Sequence, residues 1–306
     1  MASEQAQTIH QLLHNERVKA GGTASVPTRA DQLALAERIG DSTVEPTDVT
    51  YEDLVVGGVP SQLVMPEGLT KGTLLYFHGG GYCFCSIRSH RKLVGHLAKA
   101  AGCRALNVDY RLAPEHPHPA ALTDALAAYR WVLENGTKPW EIVVGGDSAG
   151  AGLAVALLLR ARAEGLPLPA AGVLLSPWVD LAMTGESVTT RAEVDVRQDP
   201  AGTMWCARSF LAGQDPRDPY ASPLYAALTG LPPIYIQASD WDILVDDAHR
   251  LAERARESGV DVQIDLFPEM LHAHQIWVGA MPEAAEAVTR VGDYVRARLN
   301  LLQESS

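Results

Sequence analysis

Apolar positions along the chain alternate between two patterns. Short continuous apolar runs at 73–77, 104–108, 142–144, 172–175, 233–238 and 262–267 predict strands. Longer stretches between and after them, at 89–101, 119–134, 149–164, 247–258 and 283–301, carry apolar residues at helical spacing. The strand runs are apolar throughout rather than alternating. That predicts an α/β fold, a mostly parallel sheet with helices on both faces. Two earlier runs, 51–56 and 61–65, meet at Gly57-Gly58 and predict a hairpin. Ahead of them, 4–20 reads as a helix with Ile9, Leu12, Leu13 and Val18 in a stripe, ended by Gly21-Gly22. A shorter helix over 30–39 carries Leu33, Leu35 and Ile39. Two short amphipathic helices before any strand imply an appendage packed on the sheet domain.

The alternation breaks after Ser176-Pro177. From 180 to 219 no strand pattern occurs, only one helical piece at 200–211. An insertion that long between sheet elements predicts a lid or binding element. The expected organisation is N-terminal cap helices at 1–45, a catalytic domain in two parts at 46–179 and 220–306, and a cap insertion at 180–219. No internal repeat or low-complexity tract is present.

One turn carries chemistry. Gly146-Asp147-Ser148-Ala149-Gly150 follows the strand at 142–144 and precedes the helix at 149–164. A G-x-S-x-G between strand and helix predicts a nucleophile elbow, with the serine on a sharp, strained turn. The plainer alternative is a serine that caps the helix. The surrounding chain weighs against it, because serine needs a base, an orienter for that base, and donors for the oxyanion. His78-Gly79-Gly80-Gly81-Tyr82 directly follows the strand at 73–77, and consecutive glycines let backbone amides face a ligand. The Ala149 amide would add a further donor. After the strand at 233–238, Asp240 and Asp242 compete to orient the base, while Asp246 and Asp247 are expected to cap the next helix. After the last strand, His272 and His274 compete as the base. The order Ser, Asp, His is the one the α/β-hydrolase fold uses.

Composition narrows the partners. The chain has 306 residues, 47% hydrophobic and 20% charged, enough for a large buried core. A net charge of −12 disfavours nucleic acid and anionic membranes. No apolar run reaches the roughly 18 residues of a membrane span, so no stable membrane insertion is expected. Residues 1–11 lack an apolar signal core, and a cytoplasmic location is the expectation. The four cysteines, Cys83, Cys85, Cys103 and Cys206, match no zinc or redox spacing and are expected to be inert reduced thiols. No metal or organic cofactor is expected.

Together these stretches resemble the hormone-sensitive-lipase-like, or bacterial type IV, carboxylesterases of the α/β-hydrolase fold. The resemblance rests on 78–82, Asp109-Tyr110-Arg111-Leu112-Ala113-Pro114-Glu115, 146–150, Ser176-Pro177-Trp178, Asp242-Ile243-Leu244-Val245-Asp246-Asp247 and Met270-Leu271-His272. It covers nearly all of 45–300. It implies Ser148 as nucleophile, Asp242 as acid and His272 as base. It implies an oxyanion hole from the glycine run Gly79, Gly80 and Gly81, with donors on Gly80 and Gly81, and from Ala149. It also implies a cap from the N-terminal helices and the insertion, and a homodimer through the strand at 262–267. Asp147 is expected to be structural. Arg111 and Glu115 are expected to tie their loop under the oxyanion turn through an ion pair. His118 and His274 stand where relatives usually carry aromatics, which implies a more polar pocket.

The function expected is hydrolysis of short- to medium-chain acyl esters through an acyl-enzyme. Lactone opening or deacetylation with the same residues is the alternative. A non-enzymatic ligand receptor is disfavoured, because Ser148 and His272 are both present. Tyr82, Met204, Trp205, Phe210 and Leu211 are candidates for the substrate pocket, with plain packing between cap and core as the competing reading.

Overall fold

A computed structural model describes residues 2–20, 28–68 and 71–300. Gly21-Gly22 and Leu301, expected at helix ends, lie outside the described residues. In chain order the elements begin with α1 (Glu4–Ala20) and α2 (Arg29–Glu37). The hairpin β1 (Val49–Val56) and β2 (Val59–Pro66) follows, then β3 (Thr73–Phe77), α3 (Ile87–Ala101) and β4 (Arg104–Val108). Next come α4 (Ala120–Glu134), β5 (Ile142–Asp147), α5 (Ala149–Ala163) and β6 (Ala171–Leu175). The insertion contributes α6 (Ser187–Thr190) and α7 (Pro200–Leu211). The chain closes with β7 (Ile234–Trp241), α8 (Val245–Glu257), β8 (Val262–Leu271) and α9 (Pro282–Asn300).

Among the described residues, eight strands form one sheet in the order β1-β2-β4-β3-β5-β6-β7-β8. The hairpin pairs antiparallel within itself and onto β4, and every other pairing is parallel. β3, β5 and β6 are buried along their whole length, as their unbroken apolar runs require. One core layer packs α4, α5, α7 and α8 on one face of the sheet. The other packs α3 and α9 on the opposite face, with Ala6, Ile9 and Leu13 of α1 added at its margin.

Two strands run further than the sequence pattern implies. β7 continues to Trp241 and β8 to Leu271, because their pairing resumes after a bulge, with Trp241 opposite Leu271. Asp240 therefore lies on a strand rather than in a loop, and its carboxylate accepts the Glu269 amide. Asp246 and Asp247 do not cap α8, whose N-cap is Leu244. Their carboxylates instead reach the insertion. Asp246 accepts the Ser187 amide, and Asp247 accepts the amides of Val179 and Asp180.

Candidate active site

The glycine loop, Ser148, Asp242 and His272 directly follow the C-terminal ends of β3, β5, β7 and β8. Ser148 follows β5 directly, at φ 53° and ψ −120°, a conformation that costs a non-glycine residue strain. Its side chain makes no capping bond to α5, so the cap reading fails. The flanking glycines are needed for close approach. A Cβ on Gly146 would stand 2.5 Å from the Phe77 carbonyl oxygen, and one on Gly150 would stand 2.0 Å from it. The elbow is thus wedged against the end of β3, beside the glycine loop.

That loop is held from below. Asp147 is buried, and its Oδ1 accepts the Gly79 amide at 3.0 Å and the Tyr76 hydroxyl at 2.8 Å. Its Oδ2 lies 3.3 Å from His90 Nε2. Burial alone would raise the pKa of this carboxyl. His90 and the Tyr76 hydrogen bond outweigh that and hold it near 2. The Gly79 amide, expected in the oxyanion hole, is committed to Asp147. Gly80 (φ 105°) and Gly81 turn the chain, and the Gly80 carbonyl takes the amides of Cys83 and Phe84. Among the described residues, the amides of Gly80, Gly81 and Ala149 donate to no acceptor. Three free amides beside a strained serine are what an oxyanion site requires.

Of the competing carboxylates and histidines, one pair is in contact. His272 Nδ1 lies 2.8 Å from Asp242 Oδ2, with both side chains buried. The other Asp242 oxygen accepts the Leu244 amide at 2.8 Å. A carboxylate can only accept, so Nδ1 donates in this contact and Nε2 is left for another partner. His274 faces away from this pair. Its Nδ1 meets Ser239 Oγ at 2.9 Å and its ring packs on Phe267, in full burial that pushes its pKa down to about 3. His118 is also buried, edge-on to Phe210 and 3.7 Å from an Asp218 oxygen.

The remaining candidates separate. Tyr82 stacks on Phe210 at 3.9 Å between ring centroids, and both are buried with Leu211 in the core layer that holds α7. Met204 is half-buried, and Trp205 is 43% exposed against Phe84. Arg111 and Glu115 do not pair with each other. Arg111 grips Asp124 through Nε and Nη2, and Glu115 takes Arg29 of α2. All four cysteines are free and buried, and burial pushes the thiols of Cys85 and Cys103 up to about 12. Among the described residues, no cluster of three His, Cys, Asp or Glu side chains could hold a metal. No described helix is long and apolar enough to cross a membrane.

Nothing in the sequence assigns a role to Asp195 or Arg197, and Ser176 stands out only as part of the Ser176-Pro177-Trp178 stretch. Asp195 is fully buried, and burial, then the nearby Asp242 charge, raises its pKa to about 6. Arg197 Nη1 donates to the His272 carbonyl at 2.9 Å. Ser176 Oγ accepts the Ala273 amide at 3.0 Å. The only sequence signal was a charged Asp-x-Arg inside the insertion.

A family model described as the α/β hydrolase fold matches residues 74–276. A solved esterase of the bacterial hormone-sensitive lipase family superposes with a TM-score of 0.93 at 42% identity, covering 98% of this chain and 100% of that one. The chain belongs to the hormone-sensitive-lipase family of α/β-hydrolases. An acetyl-hydrolase of Streptomyces hygroscopicus is 41% identical, over 97% of each chain. An esterase of Acinetobacter venetianus is 32% identical over 80% of this chain and 82% of its own.

Proposed function

We propose that this hormone-sensitive-lipase-family chain is a carboxylesterase that cleaves short- to medium-chain acyl esters, with Ser148 as nucleophile, His272 as base and Asp242 as its orienter. The observation that carries the reading is the 2.8 Å contact between His272 Nδ1 and Asp242 Oδ2, at strand ends on the same edge as Ser148. His272 Nε2 takes the Ser148 proton as Oγ attacks the ester carbonyl. Asp242 stabilises the imidazolium that results. The Gly80, Gly81 and Ala149 amides receive the oxyanion. The imidazolium then protonates the departing alcohol, and water, activated by the same nitrogen, frees the acid.

The insertion and the two N-terminal helices form the cap over this site. His10 of α1 meets the Val194 carbonyl, and Arg29 of α2 bonds Glu115 and the Ala113 carbonyl. Met204 and Trp205 are the cap side chains left open to line an acyl pocket. Deacetylation with the same residues is the second reading, favoured by the acetyl-hydrolase name of the Streptomyces relative. A homodimer through β8 belongs to the same proposal, since β8 ends the sheet and leaves Leu266 46% exposed. A cytoplasmic location fits four free thiols.

The test is turnover of p-nitrophenyl esters together with fluorophosphonate labelling. Ser148→Ala and His272→Ala are expected to lose nearly all activity, and His274→Ala to keep it. An active His272→Ala beside an inactive His274→Ala would overturn the base. A panel of acetyl esters, N-acetyl amines and lactones separates the two readings, and sedimentation settles the dimer.

A further inference from the structure

The segment between α6 and α7 reaches both halves of the acid–base pair. Asp195 Oδ2 accepts the amide of Ile243, the residue after Asp242, at 3.0 Å. Asp195 Oδ1 accepts the amides of Arg197 and Gln198, each at 3.0 Å, which folds the segment into a tight turn. That turn aims Arg197 at the other loop. Arg197 Nη1 donates to the carbonyl of His272 itself at 2.9 Å, and lies 3.5 Å from that of Ala273. The guanidinium sits 4.9 Å above the Trp277 ring, which fixes its plane.

We propose that Asp195 and Arg197 are a positioning pair: from the insertion they set the separation and orientation of the Asp242 and His272 backbones, and thereby the aim of the imidazole at Ser148. The inference rests on the assignment of Ser148, His272 and Asp242 made above. The physical case is one of leverage. His272 follows an edge strand, paired on one side only. Its aim is therefore not fixed by the sheet alone. The Ser176 hydroxyl holds the next amide, at Ala273, from the β6 side. Arg197 holds the His272 carbonyl from the insertion side, with a charge-assisted bond that a neutral donor would not match. Asp195 does the same for the acid loop. Because one short turn carries both groups, a shift of the insertion moves the acid and base loops together rather than apart. A misplacement of about 1 Å in such a pair can cost about 100-fold in rate.

A merely structural role predicts lost stability with kinetics intact. A positioning role predicts a loss in kcat with KM nearly unchanged, and partial rescue by a cation of similar reach. The experiment measures kcat, KM, the rate of fluorophosphonate labelling and Tm. The proteins are wild type, Arg197→Met, Arg197→Lys, Asp195→Asn and the Asp195→Asn/Arg197→Met double variant, with Ser148→Ala alongside. Arg197→Met, which keeps a flexible apolar arm over Trp277, is expected to lose about 10- to 100-fold in kcat and in labelling rate. KM should change less than about threefold, a pattern that marks an interaction needed in the transition state. Arg197→Lys should recover part of the loss. The double variant should lose less than the product of the single losses, because the two side chains act as one device. A folded Arg197→Met with kcat within about twofold of wild type overturns the inference. So does a loss confined to KM. If Arg197→Met melts below the assay temperature, Arg197→Gln is judged by the same criterion. An active Ser148→Ala would instead bring down the underlying assignment, so the two failures are distinguishable.

Discussion

Asp147 accepts the Gly79 amide at 3.0 Å, so the residue before the candidate nucleophile anchors the loop whose next two amides stand free. Nucleophile and oxyanion donors are thus registered to each other through one carboxylate. Asp147→Ala would leave Gly79, Tyr76 and His90 without their buried acceptor. The expected cost is about 3 kcal/mol in urea unfolding, with kcat down about 10- to 100-fold. Asp147→Asn keeps one acceptor oxygen and should lie between wild type and Ala on both measures.

The glycine loop tolerates no side chain at its centre. A Cβ on Gly80 would stand 2.2 Å from the Phe84 carbonyl oxygen, and its φ of 105° disfavours any L-residue. Gly80→Ala is expected to displace the oxyanion amides and lower kcat about 100- to 1000-fold, read on a p-nitrophenyl ester. A variant within tenfold of wild type would remove Gly80 from the proposed oxyanion site.

Asp242→Asn separates orientation from charge. The amide can still meet His272 Nδ1, but when it donates there it selects the wrong imidazole tautomer. The expected loss is about 10⁴-fold in kcat with the fold intact, checked by activity alongside circular dichroism. Asp240→Asn should stay active, because Asp240 serves the Glu269 amide on the strand.

Much of the site could be read because it is local. The elbow, the glycine loop and the strands that feed them are contiguous residues whose spacing carries their geometry. The choice between Asp240 and Asp242 could not be read the same way. It depends on a bulge that keeps β7 paired through Trp241, and that is a property of two strands together. Asp246 and Asp247 misled for a similar reason. Their place at a helix start suggested caps, but the insertion folds back to claim their carboxylates. Asp195 and Arg197 were invisible, since nothing local says that an irregular segment returns to the His272 loop.

Two buried histidines weaken the fold toward acid. Burial, helped at His274 by the Arg197 charge, lowers the pKa of His78 and His274 to about 3 each. In the unfolded chain each binds a proton near 6.5. Between those values the unfolded state holds more protons, so stability rises with pH and is lost as pH falls below about 6.5. Each histidine takes up to about 1.4 kcal/mol per pH unit from stability as pH falls from about 6.5 to 5, and buried Asp195 and Asp247, with pKa values raised to about 6 and about 7, oppose that fall in the same window. His274→Phe should make the fall shallower, as measured by scanning calorimetry across that range.

Packing and pocket divide along α7. Phe210 is buried on Tyr82, and Phe210→Ala is expected to cost about 3–5 kcal/mol. Trp205 is 43% exposed, and Trp205→Ala should cost under about 1 kcal/mol while changing the ranking of acetyl, butyryl and hexanoyl esters. Denaturation curves and an acyl-chain series check the pair.

The path of the chain through the sheet has a consequence for biosynthesis. The glycine loop leaves the ribosome first, then Ser148, then Asp242, and His272 only after β8 at the sheet's edge. A nascent chain that stops short of β8 carries Ser148 but lacks the residue proposed as its base. The proposed nucleophile and the proposed base are thus parted in synthesis by everything from α5 to β8, so only a chain made through β8 carries both.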